Sequence, residues 1–144
     1  MKEKEETKAR ELQETVYLLE LKKAQFSTLE KQIALLDITY NDNLRAKETL
    51  TNYDRLSDGN EILVPIGGEI FLYAKIDKIG KALVGIGGDV TVEKSVAEAI
   101  KRVEDRLKEI ESARIRISDQ AEKVQSDITK LTERIRALYE GQSK

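Results

Sequence analysis

The residues of this chain that could do chemistry are carboxylates, amines and guanidiniums. Its 144 residues include 27 Asp and Glu and 25 Lys and Arg, but no histidine and no cysteine. The commonest metal ligand and general base, the thiolate nucleophile and the disulfide are therefore missing. The carboxylates alternate with basic residues, as they do on solvated helix surfaces held by ion pairs one turn apart. We predict that the protein is not an enzyme and uses no metal or cofactor.

Clusters of glycine are the second feature with a possible chemical role, because glycine-rich loops can bind phosphate groups. Gly85, Gly87 and Gly88 have neither the GxGxxG spacing nor a following Lys-Ser or Lys-Thr pair. Instead, they punctuate a near repeat, in which residues 63–69 (LVPIGGE) return as residues 83–89 (LVGIGGD). Adjacent glycines between apolar runs favour type I′ turns, which need a positive φ at both central residues. The repeat predicts two β-hairpins, at about residues 61–76 and 81–94, joined by residues 77–80.

These hairpins must be positioned by the rest of the chain, and they are too small to form a stable sheet alone. Pro65 cannot donate a hydrogen bond to a neighbouring strand, which predicts a sheet edge or an N–H position that faces away from the partner strand. Open strand edges recruit other strands. We expect the hairpins to be completed by strands of other subunits, in a sheet or barrel.

A long helix is expected before the hairpins, over about residues 4–57. Its apolar face is predicted to contain Leu12, Val16, Leu19, Phe26, Ile33 and Tyr40. Strict alternation of four- and three-residue steps from Leu19 places Lys23, Glu30 and Asp37 in this seam, whereas Leu29 and Leu36 fit a seam shifted by one residue. We therefore expect a local shift of register.

A second long helix is expected after the hairpins, over about residues 96–140. It begins with a capping box, in which Ser95 and Glu98 can each satisfy a backbone N–H of the other. Its seam is regular over six heptads, which is typical of a coiled coil. The seam residues are Val96, Ile100, Val103, Leu107, Ile110, Arg114, Ile117, Ala121, Val124, Ile128, Leu131, Ile135 and Leu138.

The simplest partner for each helix is the other one, folded back antiparallel over roughly 70 Å. Pairing Leu56 with Ser95 makes the numbers of facing residues sum to about 151, so Leu12 lies near Leu138 and Tyr139. The same count places Asp37 opposite Arg114. This pair either fixes the register at some cost in stability or leaves the arginine extended toward water.

The free end of the helix pair, where both chain termini lie, carries more apolar area than a two-helix seam needs. Tyr17, Leu18 and Leu21 lie off the seam of the first helix. Such area on a solvated surface marks a binding site for another chain. The alternative is that the seam residues here only close the coiled coil, and that Tyr17, Leu18 and Leu21 have a structural role as well. The candidate binding residues of this arm end are Leu12, Val16, Tyr17, Leu18, Leu131, Ile135, Leu138 and Tyr139.

Charge and hydropathy argue against nucleic acid and membrane as partners. The net charge of −2 comes from interspersed signs, without the basic face that nucleic acid requires. No apolar run approaches the ~20 residues of a membrane span, and the start of the chain lacks the apolar region of a signal peptide. We predict a cytoplasmic protein of class α+β: one domain spanning residues 1–144, built as a long antiparallel two-helix coiled coil with two central β-hairpins that complete a β-barrel on oligomerisation.

This order of elements resembles the α class of prefoldin subunits, archaeal and eukaryotic co-chaperones. The most specific matches are residues 61–68 (EILVPIGG), 84–87 (VGIG) and 92–95 (VEKS). The resemblance implies a complex of two α and four β subunits, whose hairpins form a barrel platform and whose coiled-coil tips hold unfolded polypeptides without ATP for a group II chaperonin. The residues that it implies as platform contacts are Ile62, Val64, Ile66, Leu83, Val84 and Ile86.

A purely structural role remains the alternative to a chaperone function. In that case the coiled coil would tether or space other components and hold no client. Charged substitutions at Tyr17, Leu18 and Tyr139 would then leave function intact, whereas a chaperone would lose its suppression of client aggregation.

Overall fold

The computed structural model describes residues 2–142. Two long helices flank two β-hairpins, so the predicted α+β class is confirmed. The chain forms two compact units. The arm unit contains the described residues up to Ile38 and from Glu111, and the hairpin unit spans Thr39–Ile110. The elements are α1 (Lys2–Tyr53), β1 (Glu61–Gly67), β2 (Ile70–Lys75), β3 (Lys81–Gly87), β4 (Val90–Ser95) and α2 (Val96–Gln142).

Helix α1 is long because residues 2–53 contain neither proline nor glycine. It ends at Tyr53, earlier than the predicted end near residue 57. The backbone then tightens to three-residue steps, with the Arg55 N–H donating to the Asn52 carbonyl at 3.0 Å. Gly59 follows in the left-handed region, at a φ of 81°. These features end the helix in a compact turn.

The seam of α1 corrects the predicted shift of register. In the arm unit the buried and half-buried positions follow one alternation of three- and four-residue steps through Leu12, Thr15, Leu19, Lys22, Phe26, Leu29, Ile33 and Leu36. Thr15 is only 7 % exposed, whereas Val16, the predicted seam residue, is 40 % exposed. Lys23 and Glu30 are exposed, while Asp37 lies half-buried beside Leu36. The prediction failed because two seam positions hold the polar residues Thr15 and Lys22. A seam read only from apolar residues omits these positions and is assigned a shifted register.

Both polar seam residues satisfy their polar atoms. The Thr15 hydroxyl donates to the Glu11 carbonyl of the preceding turn at 2.7 Å. The Lys22 ammonium lies 3.3 Å from the Asp127 carboxylate of the facing helix. Neither residue therefore leaves a buried group without a partner, and the seam tolerates them.

The core of the arm unit lies between the two antiparallel helices. Leu29, Ala121 and Val124 form its buried centre. Four half-buried side chains pack around this centre, namely Phe26, Ile33, Ile117 and Ile128. The seam of α2 follows the predicted positions here, except that Ala113 takes the half-buried position beside an exposed Arg114.

In the hairpin unit, β1 pairs antiparallel with β2, and β3 with β4, as two separate two-stranded sheets. The central turn residues are Gly68-Glu69 and Gly88-Asp89, all with φ between 58° and 61°. Each turn therefore lies one residue beyond the Gly-Gly pair predicted to form it. The reason is an irregularity before each turn, between Pro65 and Gly67 in β1 and at the equivalent place in β3. The extra residue moves the positive-φ pair forward along the chain.

Several hydrogen bonds hold the bases of the hairpins. Ile76 and Asn60 join across the base of the first hairpin, with an N–H to carbonyl distance of 2.9 Å. The Gly80 N–H donates to the Tyr53 hydroxyl at 3.2 Å. At the start of α2, the Glu98 N–H donates to the Ser95 hydroxyl at 3.2 Å, which is one half of the predicted capping box. These bonds fix where the hairpins leave the helices of this unit.

Candidate functional site

The arm end presents exposed apolar side chains beside the seam. Tyr17 and Tyr139 are each 67 % exposed. Val16, Leu18 and Leu21 are also exposed. Tyrosine offers a large apolar ring at a low entropy cost, and it is enriched at protein interfaces. The arrangement can bind apolar segments of another chain without a covalent step.

The predicted arm-end residues divide into two sets in the structure. Leu12, Leu131, Ile135 and Leu138 are half-buried and lie in the seam. The exposed set contains Val16, Tyr17, Leu18 and Tyr139. The first set closes the coiled coil, and the second set is available to a partner.

A charged pair borders this surface. The Arg134 guanidinium donates to the Glu11 carboxylate across the two helices. Both side chains are partly exposed, so the pair contributes little to stability.

Farther along the arm, the Arg114 Nε donates to the Asp37 carboxylate at 2.6 Å. The predicted pairing of these two residues is therefore confirmed. The hydrogen bond that Arg114 donates to Asp37, and then the attraction of the Asp37 charge, raise the pKa of Arg114 above its ordinary value. Both side chains remain about half exposed, so the arginine pairs and also reaches water. Whether the pair fixes the register stays a prediction.

The hairpin unit presents a second apolar surface, on the first hairpin. Strand pairing places Val64 opposite Leu72 on one face, and Leu63 opposite Tyr73 on the other face. All four side chains are exposed, as is Phe71 beside Tyr73. Both faces of this hairpin are therefore apolar, and its two strands leave their outer edges open in the described chain. Open edges of this kind favour pairing with further strands.

The second hairpin differs, because one of its apolar side chains is buried within the chain. Val84 is only 9 % exposed, so it is buried within the chain and is removed from the predicted set of partner contacts. The Arg106 side chain of α2 donates to the Gly85 carbonyl at 2.5 Å, which ties β3 to the helix. The opposite face pairs Leu83 with Glu93 and is more polar.

The remaining predicted platform residues are distributed between the hairpins. Ile62 is half-buried, whereas Val64, Ile66, Leu83 and Ile86 are exposed. Phe71, Leu72 and Tyr73 of β2 were not among the predicted contacts. Their continuous apolar run was visible in the sequence, and the pairing with β1 places them opposite apolar residues of the first strand.

Other kinds of site find little support in the described residues. Within residues 2–142, no cluster of three acidic side chains could hold a metal ion. The concavity at the base of the second hairpin opens to solvent and is lined by Ile79, Gly80, Lys81, Glu93, Lys94, Ser95 and Glu98. Over the same residues, neither helix has a stretch long and apolar enough to cross a membrane.

Comparison with known proteins gives a consistent result. Residues 22–141 match the family described as prefoldin subunit. The prefoldin subunit alpha of Methanoculleus marisnigri is 32 % identical over 117 residues, which cover 81 % of this chain and 78 % of that protein. A cryo-EM structure of filamentous PFD from Methanocaldococcus jannaschii has a TM-score of 0.68 at 26 % identity, covering 85 % of this chain and 98 % of its own.

A second solved structure shares the fold. The crystal structure of the prefoldin beta subunit from Thermococcus strain KS-1 has a TM-score of 0.58 at 14 % identity and covers 88 % of this chain and 90 % of its own. At this identity the likeness concerns the fold alone.

Proposed function

The chain belongs to the α class of the prefoldin family, and on that premise we propose that it is an ATP-independent co-chaperone subunit that holds unfolded polypeptides at its arm end. Prefoldins are chaperones and not an enzyme family. The observation that carries the proposal is the exposed apolar set Val16, Tyr17, Leu18 and Tyr139, which lies beside the seam and is not needed to close it.

The partners follow from the hairpin unit. The first hairpin exposes apolar side chains on both faces, and its strand edges call for additional strands. We propose that prefoldin β subunits supply them, in a complex of two α and four β subunits with a barrel of shared strands. The likeness in fold to a beta subunit supports a partner of the same architecture.

The energetics suit a chaperone that must release its client. Complete burial of one apolar side chain contributes roughly 1.5 to 3 kcal/mol before ordering costs. A single arm end with few such side chains therefore binds weakly. Several arm ends in one complex raise the avidity without tight individual contacts. A client held this way can pass to a group II chaperonin in the cytoplasm, which is the final step of the proposal.

The experiment uses the chain co-expressed with a β-class subunit. The wild-type complex should suppress aggregation of a chemically denatured protein, measured by light scattering at equal subunit concentrations. A variant with Tyr17→Lys and Tyr139→Lys should lose most of this suppression while its assembly mass stays unchanged.

The matched control is Gln13→Lys with Ala137→Lys, which adds two charges to exposed positions of the same helix ends without removing an aromatic ring. The control should retain the suppression of aggregation. If the tyrosine variant protects the client as well as wild type does, the arm end is not the binding site. That result would support the alternative in which the coiled coil only tethers other components. If the wild-type complex itself gives no protection, the chaperone function is wrong.

A further inference from the structure

The outer face of α1 carries a stripe of side chains that continues from the arm end along the arm unit. Its positions alternate steps of four and three residues, so they lie on one side of the helix. All are exposed and lie away from the seam. This outer stripe consists of Tyr17, Leu21, Ala24, Thr28, Lys31, Leu35 and Ile38.

Apolar side chains occupy both ends of the outer stripe. Leu35 is 64 % exposed and Ile38 is 66 % exposed, and at the other end lie Tyr17 and Leu21. Among the positions of the outer stripe between Leu21 and Ile38, Lys31 carries the only charge. A helix face that only meets water has no reason to avoid charge in this way.

The corresponding face of α2 provides a contrast within the same arm unit. Its outward positions follow the same spacing and are exposed, but nearly all are charged. They are Arg116, Asp119, Lys123, Ser126, Lys130 and Glu133. One helix therefore has an ordinary solvated face, and the other has a face suited to binding.

We propose that an extended segment of the unfolded client lies along the outer stripe, from the arm end to Ile38. This inference rests on the proposed chaperone function and extends its binding site along one helix only. The contact path from Tyr17 to Ile38 is about 32 Å long at 1.5 Å per helical residue. An extended client segment of about ten residues spans that length.

The composition of the outer stripe favours an extended chain over a helix of another subunit. A partner helix needs apolar contacts at each turn, but Thr28 and Lys31 interrupt the stripe for about 21 Å between Leu21 and Leu35. An extended chain can cross this gap. Its unpaired backbone groups can also bond to uncharged polar side chains that flank the gap, such as Gln25 and Gln32.

The low charge of the outer stripe also suits binding to clients of different composition. A binding surface with many charges of one sign would repel segments of the same sign. The stripe presents one lysine among small, apolar and neutral polar side chains. It can therefore accept segments of either net charge, as a chaperone with many clients requires.

The test compares Leu35→Lys with Ile38→Lys against a matched control. The control, Ser112→Lys with Ile115→Lys, places two lysines at the same spacing on exposed positions of α2 and also removes an exposed isoleucine. Each variant is assembled with a β-class subunit, and its mass and helical circular dichroism are measured first. Binding is then measured by fluorescence anisotropy with reduced, carboxymethylated α-lactalbumin, which stays unfolded.

The stripe variant should bind this probe about tenfold more weakly, and the control should remain within about twofold of wild type. With apolar peptides of increasing length, affinity for wild type should rise up to about ten residues, whereas the stripe variant should reach its plateau at a shorter length.

Equal affinity of wild type and stripe variant would overturn the proposal that clients bind the outer stripe, while leaving the arm-end site intact. A changed assembly mass would also overturn this proposal, since the stripe would then contact a subunit. Absence of binding by wild type would reject the chaperone function itself.

Discussion

Two leucines on the same helix provide a sharp test of how α1 is used. Leu29 is 7 % exposed and belongs to the buried centre of the arm core. Leu35 is 64 % exposed and lies on the outer stripe. Truncating each to alanine removes the same atoms from the same helix, so any difference in stability reports burial alone. We predict that Leu29→Ala destabilises the arm and that Leu35→Ala does not.

The expected magnitudes follow from the carbons removed. Leucine to alanine deletes three carbons, and at about 0.8 kcal/mol for each buried carbon the transfer loss at Leu29 is about 2.4 kcal/mol. A seam between only two helices admits water or closes partly, so the loss should stay well below the ~5 kcal/mol of the largest cavities. At Leu35 the loss should be under about 1 kcal/mol, and the better helix propensity of alanine offsets a few tenths of it.

The assay is urea unfolding of the assembled protein followed by circular dichroism at 222 nm, at one fixed subunit concentration because assembly contributes to stability. Leu29→Ala should lower the unfolding midpoint clearly, while Leu35→Ala should leave it nearly unchanged. Client affinity should show the reverse order, since only Leu35 lies on the proposed binding path. Equal destabilisation by the two variants would refute the assignment of the seam.

Two further predictions concern the seam and the hairpins. Thr15→Val should raise the thermal unfolding midpoint, because it replaces a buried hydroxyl with a methyl group in the seam, whereas Val16→Thr should leave the midpoint nearly unchanged. A lower midpoint for Val16→Thr, with no gain from Thr15→Val, would restore the apolar-only register. Leu63→Lys should abolish assembly with a β-class subunit, since it places a charge on one of the two exposed apolar faces of the first hairpin. Assembly is measured as mass by light scattering after gel filtration. Thr91→Lys, on the more polar outer face of the second hairpin, is its control, and loss of assembly in both variants would contradict the different roles of the two hairpins.

Much of this fold could be predicted from the sequence where one signal dominated. The seam of α2 is apolar at nearly every heptad position, and the near repeat of residues 63–69 at 83–89 gives two hairpins with few alternatives. The pairing of Asp37 with Arg114 followed from counting along two antiparallel helices. Each of these inferences depends on local pattern and chain geometry alone.

The errors arose where the chain's own contacts override the pattern. Thr15 and Lys22 occupy the seam of α1 because the Glu11 carbonyl and the Asp127 carboxylate satisfy them, and hydropathy does not reveal such partners. The turns lie one residue late because an irregularity precedes each one. Burial of Val84 depends on how β3 lies in its own unit, which alternation along a strand cannot show.

The division of the arm-end residues has a consequence for how a client can be held. If clients bound the seam residues, such as Leu12 or Ile135, the two helices would have to separate, and the cost would include the burial that closes the coiled coil. The exposed residues Tyr17, Leu18 and Tyr139 lie outside the seam, so contact with them leaves that burial intact. Binding and arm stability are then independent properties of the same few turns of helix. Variants of the exposed set should therefore weaken client binding without lowering the unfolding midpoint, whereas variants of the seam should lower the midpoint first.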